Sequence, residues 1–273
     1  MSNGVQPTQS LALLVVLCKV GRGLLAAPLA RLGLSVGRAE RRPAGAWAVF
    51  ADRYDPVMDS RAVAIMLRLA GATLSMFAML YQLLAIHIPA GYSVLNFFSY
   101  FTNLSNIMIS AVFVVSAVRL INGRRDPSAT DVAIRGGVVV YIAFVGIVFN
   151  VLLRDQDLGD RVPWVNGVLH FLLPVLGIID WILWPPRRRL PMRVVGYWMI
   201  WPAVYAVVAV VRGAVDGFYP YFFFNPAQAG GYGGVGLLCL AMLAMFLVLA
   251  LSVRAAGNWL STRRWDEERE PQA

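Results

Sequence analysis

From residue 61 onward, apolar residues dominate six long runs, and polar residues collect in the short stretches between them. We place the runs at about 62 to 86, 94 to 118, 133 to 153, 164 to 184, 194 to 213 and 234 to 253. Each approaches the roughly 20 residues that a helix needs to cross about 30 Å of hydrocarbon. In lipid a segment of that length must satisfy its own backbone, which a helix does. The pattern therefore predicts an all-α, polytopic membrane protein with six transmembrane helices. Residues 1 to 57 read differently. Their apolar run at 11 to 18 is too short to span, and the opening MSNGVQPTQS lacks the basic segment of a signal peptide. Lys19, Arg22, Arg31, Arg38, Arg41 and Arg42 alternate with small apolar groups. That suits either a weak amphipathic helix on an anionic leaflet or a disordered, dispensable arm, with Met58 as an alternative start. Residues 58 to 273 form the six-helix domain, ending in a short solvated tail that contains DEERE.

Composition agrees with the pattern. Hydrophobic residues make up 59% of the chain and charged residues 14%, with a mean hydropathy of +0.64. A soluble domain must solvate more of its surface than that. Lys19 is the only lysine, so the net charge of +9 is carried by arginines, and these fall in short loops. Such placement points to membrane lipid headgroups as partners and away from nucleic acid. Arg119, Arg124, Arg125 and Arg135 flank the second connection, Arg187, Arg188, Arg189 and Arg193 fill the fourth, and Arg254, Arg263 and Arg264 follow the last span. The first connection has no Lys or Arg, the third offsets Arg154 and Arg161 with Asp155, Asp157 and Asp160, and the fifth holds Arg212 and Asp216. The positive-inside rule then predicts a multi-pass cell-membrane protein with both termini cytoplasmic and the first, third and fifth connections outside. Cys18 and Cys239 lie far apart in apolar surroundings, and His87 and His170 are the only histidines, without HExxH or CxxC. No metal centre and no cofactor are expected from such a set.

Polar residues inside the spans are the candidate chemistry, because hydrocarbon tolerates them only where they face a bundle interior or an interface. His170 and Asp180 stand ten residues apart in WVNGVLHFLLPVLGIIDWILWPPRRR at 164 to 189, about 15 Å along a helix. Asp180 reads as an interfacial anchor. His87, just past the first span, reads as a solvated interfacial residue. The second span opens with NFFSYFTNLSN, in which Thr102, Ser105 and Asn106 share one face and Asn103 is turned away by about 100°. Thr102 and His170 fall at similar depths below the outer surface, with Asn150 and Arg154, Asn166, Tyr81 and Gln82, and Arg212 near the same level. A polar cluster at one depth suggests a cavity open to the outer leaflet. A Thr hydroxyl becomes nucleophilic when an imidazole takes its proton, which would make Thr102 the nucleophile and His170 the base. Asn166, Asn150 or a backbone carbonyl could fix the imidazole tautomer. Asn103, Ser105, Asn106 or Arg212 could donate to a developing oxyanion. Thr, Ser and Asn in membrane helices also commonly hydrogen-bond neighbouring helices, the alternative role for each of these.

Three blocks, YFTNLSN at 100 to 106, HFLLPVLGIIDWILWPP at 170 to 186 and RGAVDGFYPYFFFNP at 212 to 226, resemble the prokaryotic six-transmembrane-helix protein family. That family is distantly similar to the eukaryotic androgen-induced membrane hydrolases of fatty acid esters of hydroxy fatty acids. The resemblance covers about residues 60 to 255. It implies a Thr and a His acting within the membrane, which by position are Thr102 and His170, and a lipid ester as substrate. The block at 212 to 226 reads either as a lid over a substrate or, preferably, as an interfacial re-entry with its aromatic rings at headgroup level. Pro174 and Pro202 are expected to kink their helices. The functional expectation is an intramembrane acyl-ester hydrolase. The alternative is a non-enzymatic lipid-binding or small-molecule transport protein, in which the same polar cluster binds without reacting. Inverted repeats, which would favour transport, are not evident in the sequence, whose halves differ in motif and loop length. Neither reading implies a particular oligomeric state.

Overall fold

The computed structural model describes residues 60 to 123, 127 to 154 and 162 to 269, with side chains as far as 262. The N-terminal extension at 1 to 57, the tail beyond 269 and the acidic residues of the third connection lie outside the described residues. The described residues are helical and connecting segments only, and six helices are long and apolar enough to cross a membrane. We label them α1 (Ser60–His87), α2 (Phe101–Ile121), α3 (Ala129–Leu153), α4 (Pro163–Leu183), α5 (Arg193–Asp216) and α6 (Gly231–Thr262). The architecture fits an integral, multi-pass membrane protein.

The helices differ in how much of them the bundle covers. In α3, 72% of the most apolar stretch is buried, against 17% in α6. The sequence of α3 explains its place at the centre. GGVVVYIAFVGIV is apolar on every side, and a helix without a polar face has no preferred solvent side. Gly136 and Gly137 let it approach α5 closely: a β-carbon on either would fall 2.6 Å from the ring of Trp198. The outward faces carry large apolar side chains, among them Val151, Phe171, Leu237 and Leu240, as lipid contact requires.

Predicted boundaries agree with the helices to within a few residues except at the end of the sixth, which continues to Arg269 where 253 is expected, and at the start of the second. Residues Val94–Phe98 form a separate short helix, and α2 begins only at Phe101 because Tyr100 is extended, at φ −76° and ψ 130°. The break is held from outside. The Tyr205 hydroxyl of α5 donates to the Ser99 carbonyl at 2.7 Å, and Arg212 donates to Asn96 Oδ1 at 2.6 Å and to the Ser99 hydroxyl.

Three helices carry a π-helical turn at the same end of the bundle, Gln82–His87 in α1, Phe149–Leu153 in α3 and Val168–Leu172 in α4. Such turns recur at functional sites and leave carbonyls that need other donors. The bundle thus has a polar, irregular end at the first, third and fifth connections. Its regular end, at the second and fourth, is rich in arginine.

Candidate functional site

The irregular end holds a cavity with an open mouth, between α2, α3, α5, α6 and the fifth connection. Aromatic rings dominate its walls: Phe101, Phe144, Phe149, Phe223, Phe224 and Phe246, with Val145, Val148, Met242 and Leu243 between them. Phe144 and Phe246 stack at 3.7 Å between centroids. Polar groups enter through Thr102, Tyr205 and Tyr221. Tyr221, Phe223 and Phe224 are buried and line this space. The 212 to 226 segment therefore covers a cavity, where an interfacial re-entry was the preferred reading. It folds inward because Arg212 holds Asp216 at 2.8 Å, and Gly217 then turns the chain at φ +77°, a conformation that a β-carbon disfavours.

Thr102 lies where the two tyrosines meet the start of α2. The first N–H groups of a helix have no partner within it, and the N-cap Tyr100 supplies no side-chain bond. Instead the Phe101 N–H donates to the Tyr205 hydroxyl at 3.1 Å and the Thr102 N–H to the Tyr221 hydroxyl at 3.3 Å. The Thr102 hydroxyl shares a further 3.4 Å hydrogen bond with Tyr221. Burial pushes the Tyr221 phenol up to about 12, so near neutral pH it offers a proton and is no general base for the threonine.

His170 sits in the π turn of α4, four residues before Pro174. Proline has no N–H to give the carbonyl four residues back, which here is that of His170. The Leu173 N–H donates to the Val168 carbonyl, so the Leu169 carbonyl also lacks its usual helical donor. Two asparagines from other helices fill both places. Asn106 Nδ2 donates to the Leu169 carbonyl at 3.3 Å, and Asn150 Nδ2 donates to the His170 carbonyl at 3.1 Å. Each amide uses its other hydrogen on its own helix, Asn106 to the Thr102 carbonyl at 2.9 Å and Asn150 to the Gly146 carbonyl at 2.8 Å. A β-carbon on Gly146 would fall 2.8 Å from Pro174 Cβ, so the glycine lets α3 lie against Pro174.

The imidazole stacks on the Phe149 ring at 3.6 Å, and its Nδ1 lies 3.3 Å from the Asn166 backbone carbonyl. Of the tautomer partners weighed from sequence, the structure brings that backbone carbonyl into contact. Because Phe149 also lines the cavity, His170 meets that space through a shared ring, whereas Thr102 meets it directly.

The remaining predicted residues take other positions. Asn103 is buried and donates to the Phe97 carbonyl at 2.7 Å, holding the short helix. Ser105 is fully buried, and its hydroxyl has no hydrogen-bond partner among the described residues. Arg212 is engaged by Asn96, Ser99 and Asp216, with its guanidinium 4.7 Å from the Phe218 ring. Sequence reasoning missed Tyr205 and Tyr221, whose one available signal was their setting among aromatic residues. No protein-family model, curated protein or solved structure matches this chain.

Proposed function

We propose that this protein binds a membrane lipid by taking one of its hydrocarbon chains into the aromatic cavity, with the cavity end of the bundle facing the outer leaflet of the cell membrane. The observation that carries the reading is the lining itself. Its walls are carbon on almost every side and match an acyl chain, while the Thr102, Tyr205 and Tyr221 hydroxyls gather at one place, where an ester or hydroxyl of the lipid would find hydrogen bonds. The arginine loops at the other end support this orientation.

A second reading, hydrolysis of the bound lipid's ester, is favoured by one further contact. Asn106 donates to both the Thr102 carbonyl and the Leu169 carbonyl, so the helices carrying the candidate groups are joined at Thr102 itself and one residue before His170. The resemblance to the androgen-induced hydrolases supports the same pair. In that chemistry Thr102 Oγ attacks the ester carbon as its proton passes to His170. The imidazole returns the proton to the leaving alcohol, and water then cleaves the acyl-threonine. For this the imidazole has to replace Tyr221 as the partner of the Thr102 hydroxyl.

Two labels on one preparation test both readings. Protein in nanodiscs is photolysed with a phospholipid carrying a diazirine in one acyl chain, and separately treated with a lipid-like fluorophosphonate. Lipid binding predicts adducts within residues 144 to 153 or 239 to 246 that are lost in a cavity-filling Ala206→Trp variant. Hydrolysis predicts in addition fluorophosphonate labelling that disappears in Thr102→Ala and His170→Gln. Photoadducts spread evenly over the lipid-facing surface overturn the first reading, and a folded wild type that takes no fluorophosphonate overturns the second.

A further inference from the structure

At the arginine-rich end, three helices bring charged side chains together inside the bundle. Asp180 of α4 is 1% exposed, and its carboxylate is held by two guanidiniums. Arg68 Nε of α1 lies 2.7 Å from Oδ1; from α3, Arg135 Nε lies 3.0 Å and Nη2 2.8 Å from Oδ2. Arg135 Nη2 also donates to the Asp180 carbonyl at 2.6 Å. Trp184 lies 5.6 Å from the Arg68 guanidinium and Trp181 lies 5.2 Å from that of Arg135.

The charges do not balance. Two cations on one carboxylate leave one positive charge in a buried place, where it is costly unless an anion compensates it. Among the described residues Asp131, on the same helix as Arg135, does not supply that anion, because it is paired with Arg119. Hydrogen bonding is uneven in the same sense. Arg135 commits two of its three nitrogens to Asp180, whereas Arg68, only 5% exposed, uses Nε alone. Among the described residues, Arg68 Nη1 and Nη2 have no acceptor, and a planar pair of donors of this kind matches two oxygens of a phosphate. Arg68 lies about two turns into α1 and Asp180 about one turn from the end of α4, a depth that a lipid phosphate at the membrane surface can approach.

We propose that the Arg68–Asp180–Arg135 cluster is a binding site for a phosphate group, with Arg68 as the bidentate donor and Asp180 as the residue that orients both guanidiniums. Its sources are the headgroup of an anionic phospholipid in the leaflet on that side or a free phosphate anion, and the two are separable. The site is independent of the cavity reading, since no residue is shared between them.

The test uses the full chain purified in a neutral detergent, with the thermal unfolding midpoint followed against short-chain phosphatidylglycerol, diacylglycerol of the same chain length, and inorganic phosphate. The expected result is a saturable rise with phosphatidylglycerol and none with diacylglycerol. Affinity should fall about tenfold or more in Arg68→Gln, the loss anticipated for a charge-assisted hydrogen-bonding group. Arg68→Lys keeps the charge and lacks the fork, so it should show a smaller loss; it carries the comparison if the Gln variant does not fold. Competition by inorganic phosphate identifies the free anion as a ligand, and its absence identifies the lipid headgroup. Equal affinity of wild type with whichever Arg68 variant folds, or no saturable response of wild type to phosphatidylglycerol or phosphate, overturns the proposal.

Discussion

Tyr221 shows how one hydroxyl can serve a helix start and a cavity wall together. It accepts the Thr102 N–H and shares a hydrogen bond with the Thr102 side chain, and burial raises its ionisation to about 12 from the ordinary 10. The sign of the linkage follows. Between those values the folded state keeps a proton that the unfolded chain has lost, so this contribution is fully present below about pH 10 and is lost as the pH rises through about 12. In detergent, absorbance titration should show a late tyrosine phase near pH 12, and Tyr221→Phe should reduce its amplitude by one group. A titration in which the late amplitude is unchanged by the substitution would place the raised group elsewhere.

At the scale of elements, α3 repairs what proline breaks in its neighbours. Pro174 and Pro202 each leave a carbonyl four residues earlier without its helical donor. For α4 that is the His170 carbonyl, which accepts from Asn150; for α5 it is the Trp198 carbonyl, which accepts from the Tyr141 hydroxyl at 3.1 Å. Both donors belong to α3. The missing donors at 174 and 202 were legible in the sequence, because proline acts locally. Their replacements were not, because Asn150 lies 20 residues from His170 and Tyr141 lies 57 from Trp198. Asn150 therefore positions His170 through its backbone. Asn150→Leu should destabilise the protein by about 0.5–1.5 kcal/mol, the net worth of one such hydrogen bond. Unfolding in mixed detergent measures this, with an unchanged midpoint counting against the assignment.

For the whole molecule, the two ends of the bundle are built differently. One end holds its irregular backbone with asparagine and tyrosine, and the other joins α1, α3 and α4 through charge. Asp180 was expected at the interface, yet it is buried with Arg68 and Arg135, which come from 112 and 45 residues away. Asp180→Asn leaves two guanidiniums without their carboxylate, and should cost about 3–5 kcal/mol. Adding Arg68→Met should recover part of that loss, since one of the two cations goes with it. If Asp180→Asn unfolds like wild type, the cluster does not hold the three helices together.

The division between sequence and tertiary structure follows from the range of the interactions. Six spans, and their ends to within a few residues except at the start of the second and the end of the sixth, were readable because crossing hydrocarbon requires a contiguous apolar run of fixed length. Thr102, Asn106, Asn150 and His170 stood out because a polar side chain in such a run is costly wherever it points. What each one touches depends on how the helices rotate and approach. That is decided by packing, as where Gly146 lies against Pro174 and Gly137 against Trp198. Only the folded bundle could turn Asn106 and Asn150 toward orphaned carbonyls, bring Tyr221 over the start of α2, and gather Arg68 and Arg135 on Asp180, because each of these contacts joins separate helices or connections whose order along the chain carries no record of their rotation.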